Sequence, residues 1–202
     1  MLESRFKGIR IAGPPGSGKS ALGKQLLEIL RGKRYSIGEA FRQRWAALGK
    51  PEGEFYKWWP AKISREENLR ANHMALDYVT GAIHSGQFVV VDNRYHFLYV
   101  KNNLPLLGVY VTAPLNIRTD RQLPGAGRKS NAWREKKCEL RDRENDEIAV
   151  GDDLFGPFYN YTLYDYHLTL RSDRLTLEEE VAAVLGALNP QQAIAGARKI
   201  YK

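Results

Sequence analysis

An α/β fold, a five-stranded parallel sheet with helices on both faces, is predicted by three observations. Short apolar runs alternate with segments that are apolar at helical spacing. One run, Phe88-Val89-Val90-Val91-Asp92, is apolar throughout and closes on an acid, as a strand buried on both faces does. The first run passes into the first helix through a glycine-rich turn, Gly13 to Ser20. Strands that alternate with helices pair in parallel, and such sheets bind ligands at the carboxyl ends of their strands.

The first strand is Gly8-Ile9-Arg10-Ile11-Ala12, and the first helix spans Gly18–Leu30. A short strand, Lys33–Ser36, and a helix, Gly38–Leu48, follow. Gly49–Ser64 is rich in Gly, Pro and aromatics, with Trp58-Trp59-Pro60 inside it, and reads as an insert suited to a substrate flap. A long helix over Glu66–Ser85 leads to the third strand, Phe88–Asp92. Leu106–Thr112 is the fourth strand, with Pro114 soon after it and a helix over Leu115–Leu123. Pro124–Ser130 carries two glycines, two basic residues and a proline, and enters the charged helical segment Trp133–Ile148; it suits a lid. Tyr166–Leu170 is the last strand and Thr176–Leu188 the last long helix, with a weak helical pattern over Ala193–Lys199. No repeat, low-complexity tract or linker divides the chain. The expectation is one domain over 1–202, with a flap at about 37–85 and a lid at about 124–150.

The 202 residues suffice for one substantial core, and a hydrophobic fraction of 43% argues against disorder. No apolar run is long enough to cross a bilayer, and Met1-Leu2-Glu3-Ser4-Arg5 has no secretory hydrophobic region. The single cysteine, Cys138, allows no intramolecular disulfide and reads as a surface thiol among charged neighbours; a cytoplasmic protein is expected. The net charge of +8 suits either a nucleic-acid binder or an enzyme gripping phosphorylated substrates. The basic residues are dispersed rather than run together, which favours the second. No nucleic-acid or membrane partner is expected, and the chain is expected to be a monomer.

Gly13-Pro14-Pro15-Gly16-Ser17-Gly18-Lys19-Ser20 fits G-x-x-x-x-G-K-[ST], the P-loop, at every fixed position. The glycines let the loop bend tightly and bring backbone N–H groups to a phosphate. Those groups form a concave anion site, to which the following helix adds its dipole. Lys19 supplies a mobile charge for the β- and γ-phosphates, and the Ser20 hydroxyl is placed to ligate Mg²⁺. The other reading, a glycine-rich turn that matches by chance, is weakened by the flanking strand and helix.

Several segments together resemble the nucleoside monophosphate kinases, and most closely cytidylate kinase in its compact form, from Ile9 to about Leu188. The P-loop with its double proline is similar to theirs. Tyr35-Ser36-Ile37-Gly38-Glu39-Ala40-Phe41-Arg42 looks like the family's S-x-G-x-x-[FY]-R segment, which implies that Ser36 and Arg42 contact the acceptor nucleotide. Val91-Asp92-Asn93-Arg94 stands where the family has an acid, a glycine and an arginine after the third strand. Ala113 to Arg121 resembles the exit of the fourth strand, with Arg118 and Arg121 on one helix face. Arg141-Asp142-Arg143-Glu144-Asn145 resembles the lid segment R-D-x-x-D, and Leu163 to Leu168 the entry to the last strand. The resemblance implies a three-layer P-loop fold and phosphoryl transfer from Mg·ATP to a nucleoside monophosphate. It implies Lys19, Arg94, Arg121, Arg141 and Asp92 in catalysis and the loop residues with Arg118 on ATP. Ser36, Arg42, Arg94 and Asn145 fall on the acceptor, and Ser20 and Asp92 on the metal. Four departures bear on the acceptor base. Asn145 replaces the lid's second aspartate, Ile148 a following arginine and Asn93 a glycine, while Glu66, Asn68 and Asn72 are the nearest candidates for an acidic pair in the flap.

Phosphoryl transfer needs positioning and charge rather than a covalent intermediate, and a lid keeps water from acting as acceptor. Each assignment has a plainer rival in the residues themselves. Arg42 lies near Arg44 on what could be a solvated helix face, and Arg118 and Arg121 could be surface arginines. Arg141 and Arg143 lie among acids and could form helix pairs. Asp92 and Arg94 end a buried strand, where a charge needs a partner or a ligand. Trp58 and Trp59 could stack on a base or fill a contact. His73, His84, His96 and His167 have no metal spacing. Two other functions remain open: a P-loop kinase for a hydroxyl acceptor, with Asp92 as base, and a nucleotide-dependent binding module.

Overall fold

The computed structural model describes residues 5–47, 49, 64–92, 97–156 and 166–189. Trp58, Trp59, Asn93, Arg94, His96 and the pattern at Ala193–Lys199 lie outside the described residues. Five strands form one parallel sheet: β1 (Gly8–Ala12), β2 (Lys33–Ser36), β3 (Val89–Asp92), β4 (Leu106–Thr112) and β5 (Leu168–Arg171). Their order is β2-β3-β1-β4-β5, so β1 is central, and successive crossovers run first to one side of it and then to the other. That reversal opens a crevice at the carboxyl ends of β1 and its neighbours. The register brings Ile11 of β1 and Ser36 of β2 level with Asp92 of β3.

The helices are α1 (Lys19–Leu30), α2 (Ile37–Ala47), α3 (Arg65–His84), α4 (Phe97–Lys101), α5 (Leu115–Gln122), α6 (Asn131–Phe155) and α7 (Leu177–Leu188). Alternation along the strands divides the core in two. Ile9, Ile11, Val90, Leu107, Val109 and Val111 pack under Leu22 and Leu26 of α1 and Val181, Val184 and Leu188 of α7. Val89, Val91 and Leu106 face the other way, against Val79 and Ala82 of α3 and Tyr99 of α4. A third cluster joins Ile37, Phe41 and Trp45 of α2 to Ala75 of α3 and Leu154 of α6. No described helix is long and apolar enough to cross a membrane.

Three elements depart from the sequence expectation, the first being α4, a five-residue helix that no sequence pattern announced. The charged helix starts at Asn131, where the Ser130 hydroxyl accepts from Trp133 N at 3.2 Å, and runs on to Phe155 rather than ending at Ile148. Its extension is held by Leu154, Val150 and Phe155, which enter the third cluster, and it stops at Gly156 with φ of 86°. The last strand begins at Leu168 rather than Tyr166. His167 binds Gly108 twice: its N–H donates to Gly108 O at 2.8 Å, and its Nδ1 accepts from Gly108 N at 2.8 Å. An imidazole nitrogen thus fills the place of a strand carbonyl.

Candidate active site

The loop of residues 13–18 leaves β1 and enters α1 at the crevice. Gly13 has φ of 141°, and a Cβ there would lie 2.0 Å from Val111 O, so β4 approaches the loop more closely than any side chain permits. Gly16, at φ of 77°, is pressed against Arg118, whose Cβ would lie 3.2 Å from an added methyl. Three carbonyls of the loop have donors. Pro14 O accepts from Lys19 Nζ at 2.8 Å and from Ser17 N at 3.3 Å. Pro15 O accepts from Arg118 Nη1 at 3.1 Å. Ser17 O accepts from Ser172 Oγ at 2.7 Å and from Arg121 Nη1 at 3.3 Å.

Asp92 stands at the end of β3, 9% exposed, beside the start of α1. Ser20 Oγ donates to its Oδ2 at 3.0 Å, and Arg34 Nη2 of β2 lies 3.6 Å from the same oxygen. Arg34 Nη1 in turn pairs with Glu39 Oε2 at 3.0 Å, and Glu39 N donates to Ser36 Oγ at 3.3 Å. One polar chain therefore runs from the loop side, through Asp92, to the β2–α2 junction. A hydroxyl and a carboxylate in contact form a hard oxygen donor pair. That suits Mg²⁺, which holds to one or two such groups and keeps waters or phosphate oxygens for the rest. Among the described residues no cluster of three or more His, Cys, Asp or Glu offers another metal site.

Arg118, 5% exposed, spends its guanidinium on protein: Nε on Ala113 O at 3.0 Å, Nη1 on Pro15 O, and Nη2 on Glu144 Oε2 of α6 at 2.8 Å. Arg121 Nη1 donates also to Ser172 Oγ at 2.8 Å. Both arginines donate to the backbone of the P-loop. Arg141 is exposed on α6, 3.4 Å from its neighbour Asp142, and with Leu115, Trp133, Arg134 and Lys137 it lines a cavity of about 480 Å³ between α5 and α6. Asn145 lies one turn further along α6 and is exposed, as is Cys138. Arg143 pairs with Glu147 at 2.8 Å within the helix. Arg42 sits half-buried on α2, the helix that follows Ser36.

The electrostatics follow from these contacts. The Arg128 and Trp133 hydrogen bonds hold the Asp120 carboxyl below the usual range. Burial pushes Glu180 of α7 up, against the opposing pull of Arg121. Burial, with Arg10 and Arg5 nearby, pushes His167 down. Four residues of this region, Arg34, Glu39, Ser172 and Glu180, were not selected from the sequence. A signal existed for two of them: Arg34 shares a strand face with Ser36, and Ser172 follows the carboxyl end of β5.

No family model matches the chain. It is 30% identical over 185 residues to the cytidylate kinase of Archaeoglobus fulgidus, an alignment covering 89% of this chain and 93% of that protein. It is 27% identical over 177 residues to the cytidylate kinase of Desulfurococcus amylolyticus, covering 85% of this chain and 86% of that one. Among solved structures, the shikimate kinase of Acinetobacter baumannii in complex with shikimate has a TM-score of 0.52 over 93% of this chain and 96% of its own, at 14% identity. That last likeness is one of fold.

Proposed function

The chain belongs to the cytidylate kinase family, and on that premise we propose that it transfers the γ-phosphoryl group of ATP to a cytosine nucleoside monophosphate, ribo or deoxy, giving the diphosphate and ADP. The observation that supports this most directly is the polar chain from Ser20 through Asp92 and Arg34 to Glu39 and Ser36. It joins the P-loop to the element from which the family resemblance draws its acceptor contacts, on a single edge of the sheet.

In this reading the backbone N–H groups at Gly16, at Gly18 and at the start of α1 cradle the ATP phosphates. Lys19 leaves Pro14 O for the β- and γ-phosphates. Mg²⁺, held at Ser20 and Asp92, would neutralise charge between the β- and γ-phosphates. Ser36 and Arg42, with Arg94, bind the acceptor phosphate and aim one of its oxygens at the γ-phosphorus. Arg141 approaches from α6 and shields the transferring group from water, while Asn145 faces the acceptor base. Arg118 and Arg121 act on the nucleotide mainly by shaping the loop that holds it. Residues of about 37–85 serve as the flap and about 124–150 as the lid of one kinase domain. A monomer working on cytoplasmic ATP completes the reading.

The test is a transfer assay with Mg·ATP against CMP, dCMP, UMP, AMP, free nucleosides and shikimate, with diphosphate and ADP quantified. CMP or dCMP is expected to give the highest kcat/KM. Transfer confined to a hydroxyl acceptor would overturn the reading in favour of a metabolite kinase. ATP binding without transfer, together with salt-dependent binding to DNA or RNA, would favour a binding module.

A further inference from the structure

Ser17 O is the loop carbonyl that receives donors from two distant parts of the chain, the helix α5 and the segment after β5. We propose that Ser172, acting with Arg121, is a latch that fixes the Ser17–Gly18 peptide with its N–H turned into the phosphate nest. Ser172 is thereby a positioning residue for the triphosphate. The proposal rests on reading the loop as the ATP site.

The argument starts from peptide geometry. A trans peptide is planar, so its C=O and the N–H of the next residue point in opposite directions. Holding Ser17 O outward therefore aims Gly18 N–H inward. The hold is needed because Gly18 has φ of 102°, in a region where glycine moves between conformations at little cost. Ser172 is itself well fixed: it is 7% exposed, and its N–H donates to Thr112 O at 2.9 Å. Its hydroxyl accepts from Arg121 Nη1 at 2.8 Å, which leaves its one proton for a carbonyl. Ser17 O, at 2.7 Å, is nearer than Thr112 O, at 3.2 Å. Arg121 closes the ring through Nη2 on Ser172 O at 2.5 Å. Glu180, 3% exposed on α7, lies close enough to feel the charge of Arg121. The guanidinium is thus engaged inside the protein on the far side of the loop.

A merely structural Ser172 would stabilise the end of β5 and leave the two substrates alike. The latch instead sets one against the other. Calorimetric titration of full-length Ser172→Ala with the β,γ-imido analogue of ATP and, separately, with CMP reads the difference. The analogue's Kd is expected to rise about 5- to 10-fold, the loss of one buried hydrogen bond, while that for CMP stays within about two-fold. An analogue Kd within about two-fold of the parent, or equal weakening of both ligands, would overturn the latch. If Ser172→Ala does not fold, Arg121→Lys, which keeps the charge but loses the planar fork that reaches Ser17 O, Ser172 Oγ and Ser172 O together, is read by the same ratio. If neither folds, the pair serves folding and the proposal fails. A parent protein that binds the analogue yet phosphorylates no monophosphate would overturn the proposed acceptor and leave the latch to its own ratio. A parent that does not bind the analogue would end both.

Discussion

Lys19 carries the mobile charge on which the proposed transfer depends. Its ammonium rests on Pro14 O at 2.8 Å, a contact easily exchanged for a phosphate oxygen that carries full charge. Lys19→Ala is therefore expected to lower kcat by at least about 100-fold, the scale of losing a positioned charge in the transition state. The far-ultraviolet circular dichroism should stay that of the parent; a kcat within tenfold of it would take the loop out of the chemistry. Gly13 poses a different demand. With φ of 141° and Val111 O only 2.0 Å from any added Cβ, Gly13→Ala must push the loop off β4. A loss of at least about 3 kcal/mol in urea unfolding is expected. Both positions were legible in the sequence because the P-loop pattern fixes the residue type at each. Arg118 and Arg121 were legible only as arginines near the site. A guanidinium aimed at a carbonyl and one aimed at a phosphate are the same letter, and the 3.1 Å and 3.3 Å contacts to Pro15 O and Ser17 O are visible only in the structure.

Whole elements carry stronger signals than single arginines, since a face of side chains must agree. The strands at Gly8–Ala12 and Leu106–Thr112 have the limits their apolar runs suggested, and the polar strand Lys33–Ser36 has the limits expected for it. The short α4 had no such signal, because five residues make little more than one helical turn and show no period. The extra turns of α6 were hidden by Gly151, a weak helix former that is buried here. Caps can be tested directly. Ser64 opens α3 with a reciprocal box: its hydroxyl accepts from Glu67 N at 3.1 Å, and Glu67 Oε2 accepts from Ser64 N at 3.3 Å. Ser64→Ala should cost about 1 kcal/mol, visible as a fall in Tm of about 2–4 °C for a chain of this size. An unchanged Tm would mean that the helix start is held by packing alone.

The molecule unfolds as a unit if its clusters are one cooperative core, and each buried titratable group then contributes to the stability of the whole. His167 must stay neutral to accept from Gly108 N, and its folded pKa lies below the ordinary value of about 6.5. Between the two values the unfolded chain binds more protons. Stability is therefore full above about pH 6.5 and drains away as the pH falls through that window. Glu180 has the opposite sign. Its folded pKa lies above the ordinary value of about 4.3, so the folded chain binds the extra proton. Its contribution is complete below that value and is lost as the pH rises through the raised one, leaving a buried charge near neutrality. Two measurements follow from one thermal-unfolding series across pH. Glu180→Gln should be more stable than the parent at pH 7–8, and the difference should close as the pH approaches about 4.3. His167→Gln, which keeps an acceptor and cannot protonate, should lose less stability than the parent between about pH 7 and pH 5. Should either variant run parallel to the parent at every pH, the group it replaces does not titrate with folding. The stability of this kinase fold would then be set by its apolar clusters and loop contacts alone.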